Sequence, residues 1–564
     1  MKVVIIGGVA GGATAAARLR RLDEGAQIVV LERTGYVSYA NCGLPYYVGD
    51  VITDRAKLTL QTPESFRARF DIDVRVRHEA VSIDRAARAV TVRDIGRGEV
   101  YTESYDKLIL SPGARPVVPD LPGVDGDRLF TLRTVEDTFA IHDFIERTGA
   151  RSATVVGAGF IGLEMAENLR ERGMDVTLIQ RGSHVLPVVD ADMAALLHNA
   201  LRDAGVDLRL NAHVSGFERT PGAIRTLVEG GGAVESDLVV LSIGVAPESA
   251  LARDAGLELG VRGSILVDAS MRTSDPDIYA VGDAVQVAHG VTGAPALIAL
   301  AGPANRQGRI AADAICGIER SYPGSLGSSV LKLFGTTVAS TGLTERAAAA
   351  AGIDADAVIL SPADHATYYP GARTMVLKVV FERVGGRILG AQAVGASGVD
   401  KRIDVIAVAI RAGMDADGLA DLDLAYAPPY SSAKDPVNMA GFMIQNILEG
   451  RVEQVRWAEA LEDARSDGAV LVDVRTDAEF ARGHVEGALH IPVDELRARM
   501  GELPRGRRLL VSCQSGLRSY LACRILTQHG YDCANVAGGF GFLEQTELDR
   551  RVATVGVGGC GMAV

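Results

Sequence analysis

Two cysteines stand where sulfur can do chemistry. Cys42 lies in Ser38-Tyr39-Ala40-Asn41-Cys42-Gly43-Leu44-Pro45, ten residues after Glu32, and the next cysteine is Cys316. With no neighbour in sequence to resolve it, a redox-active Cys42 must pair its sulfur with a small thiol, a sulfane sulfur or an oxygen species. A buried packing thiol is the alternative, but Asn, Gly and Pro beside it argue for a backbone turn. The thiolate is the nucleophile, so this reading asks for a lowered pKa from a helix N-terminus or polar turn. Cys513 opens Cys513-Gln514-Ser515-Gly516-Leu517-Arg518-Ser519, a short turn between a predicted strand at 508–512 and helix at 520–528. Backbone N–H groups of such a turn form an anion nest. Arg518 adds positive charge, and together they favour a thiolate and a persulfide on it. Cys523 and Cys533 read as core and Cys316 as helix packing, and Cys560 has no assigned role. No spacing among the six cysteines is a zinc pattern, which predicts no metal site and a reducing compartment.

Two glycine loops must position this chemistry. After an apolar strand at 2–6 comes Gly7-Gly8-Val9-Ala10-Gly11-Gly12, then a helix at 13–22 and a strand at 27–31. Glu32, followed by Arg33, falls where a ribose hydroxyl acceptor belongs, although Val9 replaces the usual middle glycine. The second loop is complete: a strand at 153–156, Gly157-Ala158-Gly159-Phe160-Ile161-Gly162, a helix at 163–172, and a strand at 175–179 ending in Gln180-Arg181. Two such units mean two dinucleotides. A strand at 107–110 runs into Ser111-Pro112-Gly113, and the chain returns to the first domain after Gly244. There Asp277–Ala284 delivers Gly282-Asp283 at a strand end, suited to a flavin's ribityl and pyrophosphate.

The 564 residues suffice for several domains. The composition, 48% hydrophobic with 64 glycines, fits α/β layers. A net charge of −13 disfavours nucleic-acid binding. No apolar run is long enough for a membrane span, and a strand at the very start leaves no room for a leader peptide. A cytoplasmic protein is the expectation. The boundaries read are 1–115 with 245–325 for the first domain and 116–244 for the second. A mixed α+β domain covers 326–446, a charged linker helix 447–457, a small α/β domain 458–552 and a flexible glycine-rich tail 553–564.

Residues 1–446 resemble the pyridine nucleotide-disulfide oxidoreductases. Within them, Gly8-Val9-Ala10-Gly11-Gly12-Ala13-Thr14 with Ser38, Asn41 and Cys42-Gly43-Leu44-Pro45-Tyr46 resembles the coenzyme A-disulfide reductases. Residues 458–552 resemble rhodanese domains through Val472-Asp473-Val474-Arg475, Gly483-His484-Val485-Glu486-Gly487-Ala488 and the Cys513 turn. The resemblance implies an α/β protein with two Rossmann-like domains for FAD and NAD(P)H, an α+β dimerisation domain and a C-terminal rhodanese domain. It implies that Cys42 is the nucleophile and forms a mixed disulfide with coenzyme A.

Thr14, Arg18 and Arg21 share one helical face. The resemblance assigns that face to the substrate's phosphates, with Ser38 and Asn41 near the reacting sulfur; a solvated basic face is the plainer reading. It also matches Tyr368 and Tyr426 to tyrosines that reach the partner subunit's cysteine, and Lys434 to a substrate-binding lysine, implying a homodimer. Phe70 departs, because some relatives carry Lys there and Arg69 replaces it only in part.

The expected function is an FAD-dependent NAD(P)H reductase of S–S bonds, with coenzyme A disulfide, coenzyme A persulfide and polysulfide all compatible substrates. Cys513 would supply sulfane sulfur. The first rival is an NAD(P)H oxidase or peroxidase cycling Cys42 through a sulfenic acid. Such relatives usually carry His in the first helix, where this chain has Ala13 and Thr14. The second rival is a non-catalytic, redox-sensing sulfur carrier. Gln180-Arg181, lacking a carboxylate, favours NADPH at least as much as NADH.

Overall fold

A computed structural model describes residues 1–466 and 468–555; Cys560 and the tail from 556 onward lie outside the described residues. The chain forms two compact units, residues 1–183 with 204–327, and residues 184–203 with 328–564.

The first unit holds two parallel five-stranded sheets. One runs Ile278–Ala280, Lys107–Leu110, Lys2–Ile6, Gln27–Glu32, Asp73–Val76. The other runs Asp207–Arg209, Asp175–Ile179, Ser152–Val156, Leu238–Leu241, Leu129–Thr131. Central strands such as Lys2–Ile6 and Leu238–Leu241 are apolar runs because both faces are covered; Val3, Val4 and Ile5 are fully buried. The helices after the loops are Ala10–Leu22 and Phe160–Glu171, each starting three residues before its expected first residue. The glycine loops themselves supply the first turn. Helix Val135–Thr148 starts at a capping box in which Thr134 and Asp137 satisfy each other's backbone N–H groups.

The second unit contains an antiparallel sheet in the order Ser329–Leu333, Thr336–Gly342, Ile388–Gly395, Val376–Glu382, Ala355–Leu360. Helices Val399–Arg411 and Pro436–Leu448 pack with it. Inside, the buried Lys378 ammonium meets Asp190 at 3.1 Å and Asp192 at 2.9 Å, and also Glu345. Such a lysine stays charged only while paired, and uncoupling it costs about 3–5 kcal/mol.

The C-terminal sheet is parallel, in the order Glu453–Val455, Cys533–Val536, Arg508–Ser512, Ala469–Asp473, Leu489–His490. The stretch 447–457, read from sequence as a linker helix, is therefore different. Helix Pro436–Leu448 ends, and Glu453–Val455 becomes an edge strand of this sheet. Arg456 explains why: it bonds the Ala357 carbonyl at 2.8 Å and Glu345 at 2.7 Å, pinning the strand. Trp457 then donates its indole N–H to the Gly539 carbonyl at 2.9 Å. Helix Ala191–Asp203 docks on helix Gly539–Val555 through Asp549, which bonds His198 Nδ1 at 2.9 Å and Arg202 at 2.6 Å.

Candidate functional site

The two dinucleotide loops are built alike. Gly7 (φ +97°) donates to the Leu31 carbonyl at 2.9 Å, and Gly157 (φ +102°) to Ile179 at 2.8 Å. Both take a left-handed conformation that L side chains resist. A Cβ on Gly12 would lie 1.8 Å from the Gly7 carbonyl oxygen, and one on Gly162 would lie 1.8 Å from that of Gly157. Only glycine lets the helix start so near the strand end, where backbone N–H groups and the helix dipole suit a diphosphate. Val9 precedes the first helix and its carbonyl accepts from Ala13 N–H at 2.8 Å, so its side chain does not obstruct the turn. Glu32 accepts from Gly8 N–H at 2.9 Å and from Thr34 N–H at 2.9 Å. In the second loop Gln180 Oε1 takes the same place, accepting from Ala158 N–H at 3.1 Å. Arg181, one residue on, is exposed.

The remaining cofactor candidates of the first domain surround that loop. A Cβ on Gly11 would lie 3.0 Å from Ser111 Oγ and 2.9 Å from Val281. Gly113 (φ +72°) faces Arg133, and Gly282 (φ +85°) donates to Gln307 at 2.7 Å. Gly244 accepts from Val117 N–H at 2.9 Å, and Arg33 is half-exposed, 3.8 Å from Glu248. Burial raises the Asp283 carboxyl, opposed by Arg133 at 3.5 Å. Glycine-lined cradles under both strand ends, with Glu32 on one and Gln180 on the other, fit one flavin dinucleotide and one pyridine dinucleotide.

Cys42 is exposed, in the single turn Asn41–Gly43 that runs straight into helix Leu44–Val48. Ser38 enters this turn with φ +48°, held by its N–H to the Gly8 carbonyl at 2.8 Å. The thiol is not lowered, as the sequence led us to expect, but raised. Loss of hydration is the main cause, then the carboxylates of Glu164 and Asp283, with Arg133 opposing. Glu164 carried no sequence signal beyond following Gly162 by two positions in the second loop's helix. Burial and then Glu167 push its carboxyl up to about 7.

The basic face expected to meet phosphates is partly spent inside the protein. Thr14 Oγ1 bonds Asn305 at 2.8 Å, and Arg18 bonds the buried Asp313 at 2.7 Å, which also pairs with Arg320 at 2.7 Å. Arg21 is exposed. Asp50, His142 and Glu146 also converge, with donor atoms within 4.8 Å of one another, but Arg172 already pairs with both carboxylates. We read the group as an ion-pair cluster.

In the second unit the Tyr368 and Tyr426 hydroxyls meet at 2.6 Å on an exposed surface. Tyr426 lines a cavity of about 510 Å³ with Asp364, His365, Ser397, Lys401 and Tyr430. Its floor is the buried Arg402, held by Asp435 at 3.1 Å and Ser431 at 3.0 Å. Lys434 is exposed beside that floor in sequence.

Cys513 is fully buried at the end of strand Arg508–Ser512. Its Sγ accepts from Gly516 N–H at 3.2 Å and Ser519 Oγ–H at 3.3 Å. Gly516 (φ +98°) turns its N–H inward, as the nest requires. Arg518 is close enough for its charge to act on Cys513. It forms a bidentate pair with Glu479 at 2.6 and 2.7 Å, which lowers the Glu479 carboxyl to about 2. Cys523 and Cys533 are buried behind the turn and Cys316 ends helix Ala301–Ile315.

Comparison with known proteins accounts for the three parts. Residues 1–308 match the pyridine nucleotide-disulphide oxidoreductases, 329–436 the dimerisation domain of those proteins, and 457–541 the rhodanese-like domain. A coenzyme A disulfide reductase of Staphylococcus haemolyticus is 37% identical over 447 residues, 79% of this chain and 100% of that protein. The structure of reduced CoADR-RHD from Bacillus anthracis matches at 47% identity, covering 97% of this chain and 98% of that one, with TM-score 0.95. That of a NAD-dependent persulfide reductase from A. fulgidus matches at 40% identity, covering 96% and 100%, with TM-score 0.91.

Proposed function

Given that the chain belongs to the pyridine nucleotide-disulphide oxidoreductase family, we propose that it uses FAD and NAD(P)H to reduce S–S bonds of coenzyme A disulfide, coenzyme A persulfide or polysulfide at Cys42. The observation that carries this reading is an exposed, turn-borne cysteine in a unit with two dinucleotide cradles. The relative named as a coenzyme A disulfide reductase aligns over its whole length, and the one named as a persulfide reductase also spans the rhodanese domain.

Gly7 to Gly12, Glu32, Ser111 and Asp283 would hold FAD, and Gly157 to Gly162 with Gln180 and Arg181 the nicotinamide dinucleotide. Held by these residues, the nicotinamide and FAD together would supply the two electrons that sulfur reduction needs. Cys42 attacks the substrate S–S bond, taking one half as a mixed disulfide and releasing the other as thiol or hydrogen sulfide. The cysteine needs no resolving partner because the leaving group is a small thiol. Across the homodimer, Tyr368 and Tyr426 would supply a proton-bearing pair for a thiolate departing from the partner subunit's cysteine, and Lys434 and Arg21 would each counter a substrate's phosphates. Cys513 takes a sulfane sulfur from a donor as a persulfide, stabilised by the Gly516 N–H and the Ser519 hydroxyl. The dimerisation domain makes the working unit a homodimer. Among the described residues no helix is long and apolar enough to cross a membrane, and together with sparse cysteines this supports a cytoplasmic enzyme acting on small thiols.

The test is thiol and hydrogen sulfide release from the three sulfur substrates, side by side, with NADPH and with NADH. Turnover with at least one of them supports the reading. Turnover only with oxygen or peroxide would replace it with the oxidase alternative.

A further inference from the structure

We infer that Trp457 is a positioning residue for the sulfur-bearing turn: through one peptide unit its indole N–H fixes the backbone that holds Cys513. This rests on the reading of Cys513 as the persulfide carrier.

The turn at 513–519 leans on the segment 538–541, where helix Gly539–Val555 begins. Phe540 N–H donates to the Cys513 carbonyl at 2.7 Å, and Gly541 N–H donates to the Gln514 carbonyl at 3.1 Å. A trans peptide is planar, so its C=O and N–H point opposite ways. Pinning the Cys513 carbonyl therefore also fixes the N–H of Gln514. Pinning the Gln514 carbonyl fixes the N–H of Ser515. The next peptide plane carries the Gly516 N–H that meets Sγ at 3.2 Å, and its aim depends on the two before it. The approach is close because residue 539 is glycine. A Cβ there would lie 2.7 Å from the Cys513 carbonyl oxygen and 2.6 Å from that of Gln514.

Gly539 is itself held from outside the turn. Its carbonyl accepts the Trp457 indole N–H at 2.9 Å, and that carbonyl shares a peptide plane with the Phe540 N–H. Indole and Cys513 carbonyl are thus joined by two hydrogen bonds with a single peptide between them. Bonds in such a chain polarise one another. Ser361 Oγ braces the preceding carbonyl, that of Gly538, at 3.3 Å. Both braces come from the dimerisation domain's sheet. Ser361 follows its strand Ala355–Leu360, and Trp457 follows Arg456, which bonds the Ala357 carbonyl of that strand. The rhodanese domain adds its own clamp through Arg475. Its guanidinium lies 3.9 Å over the Phe540 ring and bonds Gln514 Oε1 at 3.3 Å. That clamp holds side chains, whereas Trp457 holds the peptide plane.

A persulfide on Cys513 places negative charge in this nest, and misaligned N–H groups stabilise it less. Trp457 acts on the sulfur only through this backbone.

Trp457 is the only tryptophan in the chain, so growth on the benzothiophene analogue of tryptophan replaces this residue alone. The analogue keeps the ring shape and lacks the N–H. Full-length protein loaded with FAD is treated with thiosulfate, whose outer sulfur passes to the Cys513 thiolate as sulfite leaves, and is then desalted. The persulfide on the Cys513 peptide is followed by mass over time. The kcat and KM of thiosulfate-to-cyanide transfer are measured beside it. The analogue protein and Trp457→Phe should each lose persulfide about tenfold faster and show kcat about tenfold lower. Flavin content and NADPH-dependent reduction of coenzyme A disulfide should stay unchanged. Persulfide lifetime and kcat as in wild type, with only a lower melting temperature, would show a purely structural indole and overturn the inference. Failure of wild type to hold any persulfide would instead strike the reading of Cys513. The rates at which iodoacetamide labels Cys513 in wild-type and analogue protein would then decide the positioning role, and equal rates would overturn it.

Discussion

The phenol oxygens of Tyr368 and Tyr426 stand 2.6 Å apart although 58 residues separate them in sequence. The bond raises the Tyr368 hydroxyl above its ordinary value, so that phenol keeps its proton at neutral pH. Tyr426→Phe and Tyr368→Phe should each lower kcat with coenzyme A disulfide by tens-fold. Because the two act as one hydrogen-bonded unit, the double variant should be only slightly worse than either single. Steady-state kinetics of the three variants checks this, and strictly multiplicative losses would show two independent roles.

Nucleotide choice follows from Gln180 sitting on Ala158 N–H in the place that Glu32 holds on Gly8 N–H. A carboxylate there would repel a 2′-phosphate; the amide does not, and the exposed Arg181 is the neighbouring cation. NADPH should support turnover at least as well as NADH, and Arg181→Glu should shift preference towards NADH. Michaelis constants for both nucleotides measure it. A wild-type preference for NADH of about a hundredfold would contradict the argument.

Much of this fold was legible because its signals are local. Gly7 and Gly157 need positive φ, and their companions Gly12 and Gly162 need a missing Cβ, so each loop announces its strand and helix. Family resemblance singled out Tyr368 and Tyr426, but that their hydroxyls meet each other was not readable from the sequence. What escaped the sequence depends on partners far along the chain. Arg18 looked like a free basic side chain, yet its charge is spent on Asp313, 295 residues away. The Glu479 partner of Arg518, 39 residues away, was equally unreadable. The strand Glu453–Val455 looked like a charged linker because edge strands need little apolar sequence, and its register comes from Cys533–Val536.

The pair Arg18–Asp313 splits the roles of the basic face. Arg21→Ala should raise KM for coenzyme A substrates while leaving thermal stability and polysulfide turnover nearly unchanged. Arg18→Ala should instead destabilise the first unit by about 1–3 kcal/mol, because Asp313 then keeps only Arg320. Thermal unfolding beside substrate kinetics separates the two. Equal KM effects without loss of stability would return Arg18 to the phosphate-binding role.

Acid should loosen the rhodanese domain through Glu479. Its carboxyl is lowered from 4.5 to about 2, chiefly by the Arg518 bond. A lowered folded value means the stabilisation is complete above about 4.5 and is lost as pH falls through about 2. Glu479→Gln should remove that acid sensitivity and cost roughly 1 kcal/mol at neutral pH, discounted for partial exposure. Calorimetry of both forms across that range checks it, and an unchanged acid limb in the variant would contradict it.

The central claim is that two cysteines run two separate sulfur chemistries. The direct measurement is NADPH-dependent reduction of coenzyme A disulfide in wild type, Cys42→Ser and Cys513→Ser, with thiosulfate-to-cyanide sulfur transfer measured on the same preparations. The account predicts that Cys42→Ser abolishes the reduction and keeps the transfer, and that Cys513→Ser does the reverse. Full disulfide reductase activity in Cys42→Ser would contradict it, because Cys316 would then be the only cysteine left in residues 1–446 to attack the S–S bond.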